Sequence, residues 1–433
     1  MDANIDVVTR RQFLRTSLLG VALSWTVPIF LERTFLTLNA QAAESAVQTI
    51  TGKDNPILVV IQLAGGNDGL NTLVPFEDDL YYKARPTINI PKDKVLQLDD
   101  RVGFNPDLAP LKGLYDSGNL AIIQGVGYPN PNRSHFRSNE IWQTASDSQQ
   151  TLTKGWIGRY FDNYCSGEDP TVGVVLSEQL PQAFNAQVPT GIAIGRLDTM
   201  GFDKEHDPEE AHLFAELNCL EPTTISGDSI SNLVGPQHSG LSAMEYLQRT
   251  ALDVQVSTDK IKQVLKRAKS GAAYPNNHLG NSLSLISRLI AGGLPTRVYY
   301  ASQGGFDTHV GQANTHNRLM NELATSLSAF CDDLKQRGIF DRVVVMTFSE
   351  FGRRVHENVN GGTDHGTAAP MFICGGDIKP GLYGQQPNLD HLDAEDLIHT
   401  VDFRSVYSTI LTQWMKASST QILGRKFQQL AFL

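Results

Sequence analysis

Ile57-Leu58-Val59-Val60-Ile61-Gln62-Leu63 runs directly into Ala64-Gly65-Gly66-Asn67-Asp68-Gly69. Seven residues with a single polar member read as a strand covered on both faces. The glycine-rich polar segment behind it reads as a sharp turn. The same pattern recurs along the chain. Further strands are predicted at 120–124, 172–176, 297–301, 342–348 and 370–374. Helices are predicted between them, at 134–145, 156–164, 283–290 and 315–335, with a last amphipathic helix at 406–415. The segment 315–335 is the clearest, because Leu319, Met320, Leu323, Leu327, Phe330, Cys331 and Leu334 recur at helical spacing. Alternating strands and helices predict an α/β fold with a mostly parallel sheet. Residues of about 205–275 differ: acidic runs and a long amphipathic stretch at 241–269 predict a helical insertion.

The 433 residues carry a formal net charge of −10, with 41% hydrophobic and 19% charged residues. That mixture excludes collagen, coiled coil and wholesale disorder. A general nucleic-acid binder needs a basic face, which this balance opposes. Four cysteines are too few for a disulfide scaffold. Cys331 and Cys374 read as buried packing residues, and Cys165 and Cys219 are candidates for a pair that spacing does not establish.

The beginning of the chain reads as an address. Arg10 and Arg11 precede an apolar stretch of fifteen residues, Thr16 to Phe30, and Ala40-Gln41-Ala42 is a small-x-small cleavage pattern. A spanning helix needs about 20 apolar residues, so the stretch reads as an export leader rather than a stable membrane anchor. Cleavage after Ala42 leaves 391 residues, 43–433, as one domain carrying a charge of −11. The expected partner during transit is the twin-arginine translocase, and the expected destination is the periplasm or the exterior.

Ligands of open α/β sheets collect beyond the carboxyl ends of the strands. Here those ends carry Asn67 and Asp68, then Arg133-Ser134-His135-Phe136-Arg137, then Asp307-Thr308-His309, then Glu350-Phe351-Gly352-Arg353-Arg354, and shortly afterwards Asp364-His365. Carboxylates and imidazoles converging on one rim suit a divalent metal, with zinc, calcium and manganese not distinguished. Taken singly, each has a plainer reading. Asp68 fits a helix cap, Asp307 and His309 fit a turn, and Ser134 fits an N-cap as well as a nucleophile. Arg133, Arg137, Arg353 and Arg354 fit either an anion clamp or a rim of carboxylate-paired side chains. His206, His212, His238, His278, His316, His391 and His399 do not cluster and read as surface or capping residues. A zincin pattern fails because Asn360 stands where a second histidine belongs, and no dinucleotide fingerprint, phosphate-binding loop or Gly-x-Ser-x-Gly elbow occurs.

Together, these segments and Trp142-Gln143-Thr144-Ala145 resemble a family of exported bacterial proteins classed as a domain of unknown function. That family is grouped with the alkaline phosphatase and sulfatase superfamily. The resemblance spans nearly all of the chain behind the leader. It implies a three-layer alkaline phosphatase-like fold and metal-dependent hydrolysis of a small anionic phosphate or sulfate ester. It implies metal ligands at Asp68 (or Asn67), Asp307, His309, Glu350 and His365, and a nucleophile at Ser134, with the adjacent His135 a second catalytic candidate. Two departures stand out. Asp307 and His309 are separated by one residue where the superfamily has three, and Phe351 stands where it has a histidine ligand. These departures carry the alternative, a catalytically degenerate binding or structural protein of the cell envelope.

Overall fold

The computed structural model describes residues 56–165, 170–187, 191–195, 257–268 and 271–433. All of these lie in one unit, Ile50–Leu197 with Val256–Leu433. The leader, Cys219 and most of the expected insertion at 205–275 lie outside the described residues; within that insertion, 257–267 is helical.

The strands of the main sheet, in chain order, are β1 (Ile57–Leu63), β2 (Leu120–Gly127), β3 (Gly173–Val175), β4 (Ile192–Ala193), β5 (Val298–Gln303), β6 (Val343–Phe348), β7 (Ala369–Gly375), β8 (Gly381–Tyr383) and β9 (Val401–Asp402). They form one sheet in the order β8-β2-β7-β6-β1-β5-β3-β4, with β9 also pairing β2. β7 runs antiparallel to both of its neighbours, and the other pairs are parallel. The sheet is therefore mostly parallel, as its near-continuous apolar strands require. Every residue of β1, β2, β6 and β7 is buried.

Helices cover both faces. These are α1 (His135–Thr144), α2 (Trp156–Tyr164), α3 (His278–Ala291), α4 (Gln312–Gln336) and α5 (Phe403–Thr409). Leu58 and Val60 of β1 pack into one core with Trp142, Trp156, Tyr160 and Tyr407 from α1, α2 and α5. Alternate residues point to opposite faces of a strand. The other face carries Cys374 of β7, whose Sγ lies 3.7 Å from Sγ of Cys331 on α4. Both cysteines are buried packing residues in the second layer. The last expected helix divides into α5 and a wider π turn at Ile410–Trp414.

Register places the site. Leu63 pairs with Gln303, and Gln62 with Phe348, so β1, β5 and β6 end at one edge. β2 is antiparallel to β7, which is antiparallel to β6, so β2 also ends there. The reversed β7 begins at that edge, and this brings the segment before it, with His365, to the same rim.

Trp142 anchors the first core. Its ring stacks on Phe403 with centroids 4.3 Å apart and on Phe348 at 5.4 Å. We expect Trp142→Ala to cost about 3–5 kcal/mol of stability, measured by urea unfolding; a loss below about 1 kcal/mol would contradict this packing.

Candidate metal centre

Four chain segments meet at the rim. His135 is the first residue of α1, and Asp307 and His309 follow β5. Glu350 and Arg353 follow β6, and His365 precedes β7. Glycine lets the loops approach: Gly65 has φ +119°, and a Cβ there would lie 2.5 Å from the Asp307 nitrogen.

His135, Asp307 and His365 form a group whose potential ligand atoms all lie within 4.8 Å of one another. His309 joins them through its Nε2, which lies 3.0 Å from Nε2 of His365 and 3.0 Å from Oδ1 of Asp307. Nε2 of His365 is 3.1 Å from the same carboxylate oxygen, and Nε2 of His135 is 3.5 Å from Asp307 Oδ2.

Each imidazole is held from behind by an oxygen. Nδ1 of His135 donates to Glu350 Oε1 at 2.9 Å, and Nδ1 of His309 donates to Asp364 Oδ1 at 3.2 Å. Nδ1 of His365 donates to the Arg133 carbonyl at 2.8 Å. These partners accept only, so they place the Nδ1 protons. In the neutral rings the Nε2 lone pairs then face inward. Two nitrogens 3.0 Å apart share at most one proton between them, and one carboxylate serves all three rings. Ligand atoms about 2.0 Å from a tetrahedral ion lie roughly 3.3 Å apart. The contacts of Asp307 with the three rings and of His309 with His365, at 3.0 to 3.5 Å, are close to that spacing, while the His135, Asp307 and His365 atoms as a group lie within 4.8 Å.

Asp307 stays ionised. Burial pushes its carboxyl up, but the hydrogen bond and charge of the buried Arg353, joined by His365 and His309 when those rings carry a second proton, outweigh this and hold it at about 2. Arg353 itself is buried and also donates to the carbonyls of Gly66, Thr363 and Phe306 at 2.8, 2.9 and 2.9 Å, and to that of Gly65.

Several residues expected at a metal are placed otherwise. Asp68 caps the four-residue helix Gly69–Thr72 and pairs with the buried Arg85 at 2.6 Å, while Gln312 donates to the same oxygen. Burial raises its pKa, but the Arg85 charge outweighs this and the net shift is downward. Its oxygens are thus taken by Arg85, Gln312 and the Asn71 amide. Asn67 accepts from Thr72 Oγ1 at 3.0 Å and lies 3.2 Å from Nε2 of His316. Glu350 accepts from the Gly65 amide at 2.8 Å and holds His135, so it stands behind a ligand atom rather than among them. Phe351 is buried against the rings of His135 and His365, at 4.9 and 4.6 Å between centroids.

Ser134 is exposed and makes no capping bond with its side chain. It directly precedes His135 at the N-terminus of α1, where amide groups favour an anion. Every arginine considered for the clamp has a carboxylate partner. Arg133 pairs with Asp396, and Arg137 with Glu140 at 2.7 Å. Arg353 pairs with Asp307 at 2.7 Å, and Arg354 with Glu395 at 2.9 Å. His316, read from sequence as surface or capping, is corrected by the structure: it is buried, and burial depresses its pKa to about 4. Arg85, Gln312 and the inward role of His135 gave no signal in sequence, because their partners lie far along the chain.

A family model described as "Protein of unknown function (DUF1501)" matches residues 56–429. The chain belongs to the DUF1501 family. No curated protein matches it. Among solved structures it is similar to a protein in the alkaline phosphatase superfamily from Vibrio parahaemolyticus, with 10% identity and a TM-score of 0.37 over 89% of this chain and 76% of that one. It is also similar to the PsFucS1 sulfatase from Pseudoalteromonas sp., with 10% identity and a TM-score of 0.35 over 89% of this chain and 71% of that one. A third is the phosphonate monoester hydrolase SpPMH from Silicibacter pomeroyi, with 10% identity and a TM-score of 0.29 over 87% of this chain and 78% of that one. The α/β class of this DUF1501 member rests on its own sheet order and register.

Two variants test these placements. Glu350→Gln should lower zinc affinity about tenfold to a hundredfold without changing the unfolding midpoint, read by competition with a chromophoric chelator. Arg85→Met strands the buried Asp68 charge and should cost about 3–5 kcal/mol; adding Asp68→Asn should recover part of it in urea unfolding.

Proposed function

We propose that this chain holds one divalent metal ion on His135, His309, His365 and Asp307 and hydrolyses phosphate or sulfate esters. The observation that carries the reading is the set of three Nε2 atoms converging on one carboxylate, each ring fixed at Nδ1 by an oxygen acceptor. Three imidazoles favour zinc or manganese over calcium, which prefers an all-oxygen shell. Such an ion, when bound, supplies Lewis acidity and lowers the pKa of an attacking hydroxyl or water.

The chain's own residues supply the rest. Glu350, Asp364 and the Arg133 carbonyl fix which imidazole nitrogen carries the proton. The buried Arg353 keeps Asp307 ionised and in place. The α1 N-terminus offers unpaired amides to the ester oxygens. Ser134, one residue from His135, is the candidate nucleophile. Asp68 and Glu350 are buried with other partners, which supports one ion rather than two. Export by the twin-arginine route to the periplasm or exterior belongs to the same proposal and rests on Arg10, Arg11 and the apolar stretch behind them.

A second reading, a binding or structural protein of the cell envelope, is favoured by one observation: the four arginines near the rim are already paired with carboxylates.

Elemental analysis of protein exported by its own route should find one zinc or manganese per chain. Asp307→Ala and His365→Ala should each empty the site. Ser134→Ala should keep the metal and lose on the order of 10³-fold or more in turnover of 4-nitrophenyl phosphate or sulfate. Bound metal with no turnover of either ester would favour the second reading. Absence of metal after reconstitution would reject both the centre and the enzyme.

A further inference from the structure

Three large apolar side chains on the described surface are far more exposed than the others: Val359 at 100%, Phe136 at 90% and Val310 at 70%. The next, Leu180, reaches 41%. Singly exposed apolar residues are ordinary. These three are not scattered. Phe136 follows His135, and Val310 follows His309. Val359 sits in a loop bonded to the same segment: Asn358 Nδ2 donates to the His309 carbonyl at 3.0 Å, and the Gly311 amide donates to the Asn360 carbonyl at 3.0 Å. The rings of His135 and His309 both contact His365, with centroids 4.4 and 4.8 Å away. Phe136 and Val310 therefore spring from the backbone that carries the cluster, and Val359 from a loop bonded to it.

Leaving a phenyl ring and two isopropyl groups in water forgoes stabilisation that burial would supply. Neither the fold nor the cluster uses these side chains. Resting on the reading of the cluster as an ester-hydrolysing centre, we propose that Phe136, Val310 and Val359 form an apolar lip that grips the organic group of the substrate. The substrate class is then a phosphate or sulfate ester of an alkyl or aryl alcohol, bound with its anionic head at the cluster and its apolar group against the lip. The occupant is one ester molecule, because Phe136 and Val310 directly follow two histidines of the centre that would cleave it and Val359 lies in a loop bonded to the His309 segment. The paired arginines agree with this assignment: Arg133, Arg137, Arg353 and Arg354 are already held by carboxylates, so an apolar contact adds affinity that they do not supply.

The test is binding, read without turnover. Exported protein, assayed for metal, is titrated calorimetrically with octyl phosphate and with methyl phosphate. Octyl phosphate should bind at least about tenfold tighter. The triple variant Phe136→Ser/Val310→Ser/Val359→Ser should lose that preference and keep its metal content, methyl phosphate affinity and unfolding midpoint. Equal affinity for the two esters, or a preference that survives in the triple variant, overturns the lip. Co-sedimentation with phosphatidylcholine vesicles that the variant loses, without an octyl preference, overturns it in favour of a lipid surface. A preference for octyl phosphate in protein that holds no metal keeps the lip and rejects the centre. Metal without the preference keeps the centre and rejects the lip.

Discussion

The Arg353 guanidinium is buried and donates to carbonyls of the loops after β1 and β5 and before β7, and to the Asp307 carboxylate. A buried guanidinium is costly to desolvate unless its donors are satisfied, and its planar fork fixes directions as well as distances. The three segments are therefore held at one separation by one side chain. The charge that ties the loops also keeps Asp307 ionised. Fold and chemistry are thus coupled through a residue that touches no solvent.

The rest of the rim follows from that tie. With the loops fixed, the histidines need only their outer nitrogens anchored. Glu350 anchors one, Asp364 another and a backbone carbonyl the third. Phe351 packs against two of the rings, so it supports imidazoles at the position where the superfamily pattern has a histidine ligand and this sequence departs from it. The one reversed strand of the main sheet among the described residues serves the same end. Because β7 is reversed, its beginning lies at the ligand edge, and His365 joins residues that arrive from strand ends.

Much of this was legible in the residues. The apolar runs at 57–63, 120–124, 343–348 and 370–374 are strands because continuous burial demands continuous apolar side chains. Trp156–Tyr164 is a helix over the predicted bounds, and α4 extends the expected 315–335 by one turn or less at each end. Asp307, His309 and His365 were legible as candidates because polar residues at strand ends have few plainer uses in such number. Asp68 and Glu350 looked equivalent to them. Their partners Arg85 and His135 lie 17 and 215 residues away, and no local pattern encodes such pairings.

The sequence by itself determined the layers, the edge at which polar residues gather and the chemical kinds of donor available there. Periodicity and composition are local properties, and local properties suffice for these. Only the tertiary structure decided which carboxylate is spent on an arginine, which holds a histidine from behind and which faces the three imidazole nitrogens. Those assignments depend on distances of about 3 Å between segments far apart in the chain, over which hydrogen bonds and ion pairs act.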